Sequence, residues 1–254
     1  MIKLFKKYKT GLVLSGGAAR GFAHLGVLKA LEEFKIKPDI ISGVSAGSIA
    51  GAFYADGYGP EEILEILTHK KITEYFRITI PKNGLFKVPG LEEILKNNLR
   101  AKSFRELKIP LVVAVTNLER GMVEYIKSGN LIDILIASSS IPILIEAKMI
   151  NGAYYADGGI MDNLPVNPIL KDCQKMIGVH VNPVGKMGNI TGLTHFAERA
   201  FHLAVAAEIE RKKSLFDYFI EPERLVKFGL LDLKKGKEIF QIGYDAAIKI
   251  IQNK

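Results

Sequence analysis

The sequence predicts an α/β fold: a three-layer α/β/α sandwich around a mixed, mostly parallel central sheet. Three observations lead there. Short apolar runs alternate with segments of helical period, the pattern of a sheet covered by helices on both faces. Gly11 to Ser45 reads as strand, glycine loop, helix and strand, the crossover unit of parallel sheets. Pro110 to Thr116 (Pro-Leu-Val-Val-Ala-Val-Thr) is continuously apolar, as a strand buried on both faces must be.

Taken in order, Gly11 to Ser15 is the first strand, and Gly16-Gly17-Ala18-Ala19-Arg20-Gly21 follows it. Phe22 to Phe34 is a helix with Ala23, Val27, Ala30, Leu31 and Phe34 on one face. A turn at Lys35 to Asp39 leads to the second strand, Ile40-Ile41-Ser42, and Ile49 to Tyr54 has helical character. The next helix runs to Lys70, with Pro60 at its start and Glu61 and Glu62 in its first turn. Thr73 to Pro89 reads as irregular, aromatic and basic, either a lid or a long surface connection. Leu91 to Leu99 is a short helix. After the Pro110 to Thr116 strand, Met122 to Ile126 is its antiparallel neighbour across the Glu119-Arg120-Gly121 turn. Asn130 to Ser140 is helical. Met149 to Tyr155 is a strand pair joined by an Asn-Gly turn, and it delivers Asp157-Gly158-Gly159. Met176 to Val181 is a strand, Thr194 to Phe216 a long amphipathic helix, Tyr218 to Ile220 a short strand and Lys235 to Ile251 a closing helix.

The 254 residues carry no repeat, low-complexity stretch or linker-like shift in composition, so one domain is expected over 1–254. Its core would span about 10–185, with a helical part from about 190 to 254. With 48% hydrophobic residues the chain can bury a sizeable core. A single cysteine, Cys173, rules out an internal disulfide and fits a reducing, cytoplasmic compartment. No signal peptide is read at the basic N-terminus, and no run approaches eighteen apolar residues. Thirty-five basic against 27 acidic residues give a net charge of +8. The lysines are dispersed and no nucleic-acid-binding signature is present, so nucleic acid is not an expected partner. The best single reading is a solubilising surface. Attraction to an anionic membrane comes second, helped by Ile2, Leu4 and Phe5 among Lys3, Lys6, Lys7 and Lys9.

The chemistry gathers around Gly43-Val44-Ser45-Ala46-Gly47. A G-x-S-x-G pentapeptide between strand and helix holds its serine out at a sharp turn. Gly43 and Gly47 lack the Cβ atoms that would collide there. Upstream, Gly16-Gly17-Ala18 between strand and helix exposes backbone N–H groups, an anion site. As a phosphate loop it is only half formed: the pattern's middle glycine is Ala18, the acidic residue after the second strand is missing, and no P-loop lysine is present. As an oxyanion hole it would lie at the same sheet edge as Ser45.

A nucleophilic serine needs a base. His180, His195 and His202 follow Ser45 and Asp157 in the chain order of a Ser–acid–His triad. His180 lies in an apolar strand, and His195 and His202 are seven apart on one helix. The other candidate is a carboxylate: Asp157, followed by two glycines, sits where the backbone can turn tightly. Bonded directly to the serine hydroxyl in a desolvated site, its raised pKa would let it act as base.

Ser15-Gly16-Gly17-Ala18-Ala19-Arg20-Gly21, Gly43-Val44-Ser45-Ala46-Gly47 and Asp157-Gly158-Gly159 together resemble the patatin-like phospholipase family in order, type and spacing. Ala137 to Pro142 and Asp162-Asn163-Leu164-Pro165-Val166 resemble its flanking segments. The resemblance covers roughly residues 10 to 185 and points to the bacterial, single-domain type. It implies a Ser–Asp dyad without a catalytic histidine, acting on acyl esters of lipids, with no metal or cofactor. Carried over, Ser45 is the nucleophile and Asp157 the base. Gly16, Gly17 and Ala18 supply oxyanion donors and Arg20 fixes the loop, with Gly21, Gly43, Gly47, Gly158 and Gly159 as its structural supports. Two positions depart from the family: Ala18 replaces a common third glycine, and Glu146-Ala147 replaces common prolines. Beside a lipid acyl hydrolase stand two alternatives, an acyltransferase on the same dyad and a non-catalytic module bound at a membrane surface.

Overall fold

The computed structural model describes residues 6–69, 77–78, 84–185 and 192–253; of residues 77, 78, 193–195, 197, 198, 201 and 202 it describes the backbone alone. Strand β1 (Tyr8–Leu14) leads through the glycine loop to helix α1 (Phe22–Glu33), β2 (Ile40–Val44), α2 (Ala46–Asp56) and α3 (Pro60–Thr68). Then come β3 (Arg77–Ile78), β4 (Gly84–Lys87), a helix at Pro89–Asn98, β5 (Leu111–Asn117), β6 (Met122–Ile126) and a helix at Leu131–Ser138. Next are β7 (Ile143–Ile145), β8 (Lys148–Ile150), β9 (Ala153–Asp157), a short helix at Asn167–Leu170 and β10 (Cys173–Val179). The long helix Leu193–Lys212, β11 (Tyr218–Ile220) and the helix Gly236–Gln252 complete the order.

Eight strands form one sheet, ordered β11-β10-β1-β2-β5-β9-β8, with β6 paired to β5 off that path. The five strands from β11 to β5 are parallel. β6, β9 and β8 pair antiparallel. The side chains of β1 show the layering: Leu12 and Leu14 enter one apolar cluster and Val13 the other. The first cluster holds Leu25, Leu28 and Leu31 of α1 with Ile239 and Ile242 of the C-terminal helix. The second holds Leu164, Ile169, Ile209 and Phe216 on the opposite face. The alternation of a strand thus sorts two cores, and the three-layer sandwich expected from the sequence is the fold observed.

Register brings two loops together. On one side of β5, β2 runs alongside until Val44 faces Ala114. From the opposite direction β9 ends with Asp157 facing Val115. β6 pairs with Val113 to Asn117 and so takes the other side of β5. Ser45 and Asp157 therefore arrive nose to nose beside two adjacent residues of one strand.

Several boundaries differ from expectation. β1 begins at Tyr8, three residues earlier. α2 begins at Ala46, directly after the serine, because the turn itself supplies its first carbonyl: Ser48 and Ile49 donate to Ser45 O at 2.9 and 3.2 Å. The long helix stops at Lys212, and Lys213–Leu215 forms a 3-10 turn. The segment expected to be irregular contains β3 and β4, which with β7 form a second, three-stranded sheet. Tyr75 and Phe76 lie outside the described residues. This small sheet also accounts for Glu146: its amide donates to Phe86 O at 2.9 Å, a bond a proline cannot make, and its carboxylate meets Lys87 Nζ at 3.3 Å.

Candidate active site

Ser45 is the residue between β2 and α2, at φ 52° and ψ −127°. Such a conformation is held only where the surroundings over-determine it, and costs about 1–3 kcal/mol. Contact supplies the constraint. A Cβ on Gly47 would come within 2.4 Å of Leu14 O and 2.5 Å of Ser15 O, and one on Gly43 within 2.9 Å of the Gly47 carbonyl. The Ser45 amide donates to Ser138 Oγ at 2.9 Å, and Ser138 Oγ in turn donates to Ala114 O at 2.8 Å. Ser45 stands at the helix N-cap, yet its hydroxyl caps nothing. It is left for another partner.

Beside it is Asp157: the Ser45 hydroxyl favours the charged form of that carboxylate, which accepts from the Gly159 amide at 2.8 Å. Both residues are buried. The Asp157 backbone is pinned at both ends: its N–H donates to Ser140 O and its carbonyl accepts from Thr116 Oγ1, each at 2.9 Å. Burial raises its pKa from 3.8 to about 6, against the Ser45 hydroxyl and the Gly159 amide, which favour the charged form. Gly158 is needed where the chain crosses β5, since a Cβ there would lie 2.4 Å from Ala114 O.

The glycine loop lies next to the serine; a Cβ on Gly16 would be 3.2 Å from Ser45 Cβ. Its peptide planes are bonded from behind. Every peptide bond described is trans, so each C=O points opposite to the next N–H. Gly16 O accepts from Asn182 Nδ2 at 2.8 Å, which leaves the Gly17 N–H pointing the other way. Gly17 O accepts from the Arg20 amide at 3.0 Å, which does the same for the Ala18 N–H. Neither of these two N–H groups has a partner among the described residues. Gly16, expected as a third donor, has its N–H bonded to Asn163 Oδ1 at 3.1 Å. Ala18 takes φ 46°, so the backbone here does enter the region a third glycine would suit.

Arg20 is buried, and its Nε donates to Phe228 O at 2.8 Å. Beside it the Ala19 amide donates to Leu230 O at 3.0 Å. Gly21 lets the loop lie against α2, where a Cβ would stand 2.5 Å from that of Ala46. Gly159 has Asp157 Oδ1 and Asn163 Oδ1 at 3.0 and 2.8 Å from the place of its missing Cβ.

Among the described residues no histidine bonds Ser45. His180 has a carboxylate partner, Glu221, at 2.8 Å from Nδ1, but its buried Nε2 has no partner among the described residues. His24, behind the loop, bonds Ser15 O through Nε2 at 2.8 Å, and burial lowers its pKa to about 4. Nε2 must carry the proton for that bond, so His24 is neutral and fixed in tautomer. The side chains of His195 and His202 lie outside the described residues. No cluster of three or more His, Cys, Asp and Glu among the described residues is placed to hold a metal ion. No helix among them is long and apolar enough to cross a membrane.

Sequence reading missed Asn163, Asn182, Ser138 and His24. Asn163 lies in the flanking segment already noted, and Asn182 follows β10, whose end lies beside the end of β1. Proximity of those two strand ends was the available signal for Asn182.

Comparison with known proteins adds three findings. The sequence model of the family described as patatin-like phospholipase matches residues 12–170. Lysophospholipase NTE1 of Kluyveromyces lactis is 29% identical over 269 residues, covering 92% of this chain and 18% of that protein. The protein of the same name from Saccharomyces cerevisiae is 26% identical, covering 92% and 16%. The chain thus spans less than a fifth of the length of these relatives. Among solved structures, VipD from Legionella pneumophila superposes with a TM-score of 0.55 at 16% identity, over 97% of this chain and 67% of that one, a likeness of fold.

Proposed function

This chain belongs to the patatin-like phospholipase family, and from that premise we propose that it is a serine acyl hydrolase working through Ser45 and Asp157. The observation that carries the reading is the placement of Ser45 and Asp157 together beside adjacent residues of β5, with the Asp157 carboxyl buried and its pKa raised to about 6. A base of that strength is mostly ionised at neutral pH and still accepts a proton readily.

Ser45 Oγ attacks the acyl carbonyl as its proton passes to Asp157. Negative charge develops on the carbonyl oxygen, opposite the Gly17 and Ala18 N–H groups, with the N-terminus of α2 adding a favourable field. The tetrahedral adduct collapses, the C–O bond to the leaving alcohol breaks, and the alcohol takes the proton from Asp157. Ser45 is now acylated. Asp157 then removes a proton from water, which attacks the acyl-enzyme. Collapse releases the free acid, and the proton returns to Ser45.

The family and the name of the relatives support a lipid acyl ester as the substrate class, with lysophospholipids first to be tried. Exposed apolar side chains suit approach to lipid: Ile160 and Met161 follow Asp157 closely in the chain, and Ile143 of the small sheet is 76% exposed. We place the enzyme in the cytoplasm, touching membrane from one side, with no role for nucleic acid. A fluorophosphonate probe tests the chemistry: Ser45 becomes phosphonylated in the wild type and nothing is labelled in Ser45→Ala. A folded wild type that does not react rules the reading out.

A further inference from the structure

We infer that Asn163 and Asn182 form a clamp on Gly16 that aims the oxyanion donors, a positioning role for the acyl transfer proposed above, on which it rests. Asn163 and Asn182 reach Gly16 from 147 and 166 residues away. Asn163 Oδ1 takes its N–H and Asn182 Nδ2 takes its C=O. With Ser15 O held by His24, the planes on both sides of Gly16 have no freedom to rotate. The free end of this arrangement is the Gly17 N–H, whose direction is set on the far side of its own peptide plane, where Gly16 O accepts from Asn182 Nδ2 at 2.8 Å and also from Ser15 Oγ at 3.0 Å.

Two features separate this from ordinary core polarity. Both asparagines are almost wholly buried, 4% and 5% exposed, and each leaves half of its amide without a partner among the described residues: Asn163 Nδ2 and Asn182 Oδ1. Turning either amide over would bring like against like at Gly16, so the loop fixes their orientation. The desolvation of the unpaired halves is offset at Gly16. Asn163 is also held from both flanks. Asp162 is bonded by Lys212 Nζ at 2.6 Å and by Tyr125 OH at 2.7 Å, and Pro165 O accepts from Ser42 Oγ at 2.6 Å. Its Oδ1 stands between the sites where Gly16 and Gly159 would carry a Cβ, so one amide touches the oxyanion loop and the Asp157 turn together.

The same near-isosteric change should act oppositely at the two positions. Asn182→Asp replaces the donor with an acceptor facing Gly16 O. It should lower kcat about 10²-fold with KM within about threefold, and slow phosphonylation in parallel, the scale of one lost oxyanion donor. Asn163→Asp keeps the acceptor for the Gly16 N–H. It should retain kcat within about tenfold at high pH, with the acidic limb of the rate profile moved upward by a second carboxylate near Asp157. Asn163→Leu, which loses the acceptor, should fall as Asn182→Asp does. Thermal unfolding is followed for each, and Asn182→Ala, without the repulsion, replaces Asn182→Asp if the latter does not fold. Folded position-182 variants with wild-type kcat, or equal losses in Asn163→Asp and Asn163→Leu, overturn the clamp. A wild type that is not labelled at Ser45 fails the hydrolase reading instead.

Discussion

The serine turn and the glycine loop lie side by side at one sheet edge, yet they are held by different physics. The turn is held by contact. Its glycines press on the backbone of β1 and on each other, and the serine is forced into a conformation that few residues adopt. The loop is held by hydrogen bonds to the backs of its peptide planes, from groups scattered as far as Asn182 and Phe228. Contact fixes a side chain by leaving it nowhere else to go. Hydrogen bonding fixes a direction and leaves the opposite face of each plane open to a reacting group.

Substitutions can separate the two. The largest effect is expected at the reacting groups, where both means of support converge: Ser45→Ala and Asp157→Asn should each lower kcat/KM by about 10⁴-fold or more. Hydrolysis of a short-chain ester checks this, and a histidine-dependent loss of equal size at His180 would replace the dyad with a triad. Next, Gly47→Ala should break the contact-held turn outright. With backbone oxygens 2.4 and 2.5 Å from the new Cβ, neither able to swing aside, a loss of about 3 kcal/mol in urea unfolding is expected.

The Asp157 carboxyl gives a comparable effect of opposite sign. Its pKa is higher in the folded chain, about 6, than the ordinary 3.8, so the native state holds the proton more tightly. Stability therefore falls as pH rises from about 4 to about 6, by about 3 kcal/mol for a shift of about two units. Asp157→Asn should recover much of that at pH 8 and almost none at pH 3.5, measured by thermal unfolding. In the wild type, kcat/KM should rise tenfold per pH unit below about 6 and level off above it; a flat profile down to pH 4.5 would remove Asp157 as base. The smallest effect belongs to the loop: Ala18→Gly, relieving φ 46°, should raise stability by up to about 1 kcal/mol.

The same contrast decides how much was readable beforehand. Steric demands are local and leave their mark in local sequence, so Gly43, Ser45 and Gly47 announced the turn, and apolar runs announced the strands. Asp157-Gly158-Gly159 was readable because its turn also requires small residues. The hydrogen-bonded support of the loop was not. Asparagines at 163 and 182 look like any loop or strand-end asparagine until folding brings them 147 and 166 positions back along the chain. The bond that takes up the Gly16 N–H escaped notice for the same reason, since its partner is remote. Arg20 was recognised as a support, but the carbonyl it meets at Phe228 was not. The small second sheet escaped notice because its strands, two to four residues each, are too short for a period to show.

The attachment of the glycine loop to Phe228 and Leu230 bears on the order in which the protein can become active during synthesis. A nascent chain exposes Ser45 first, then Asp157, and the anchors of Arg20 and Ala19 only after both. Until those anchors emerge, Ser45 and Asp157 can exist beside a loop whose amides are not yet aimed. Translation thus delivers the contact-held turn before the hydrogen-bonded support of the loop next to it.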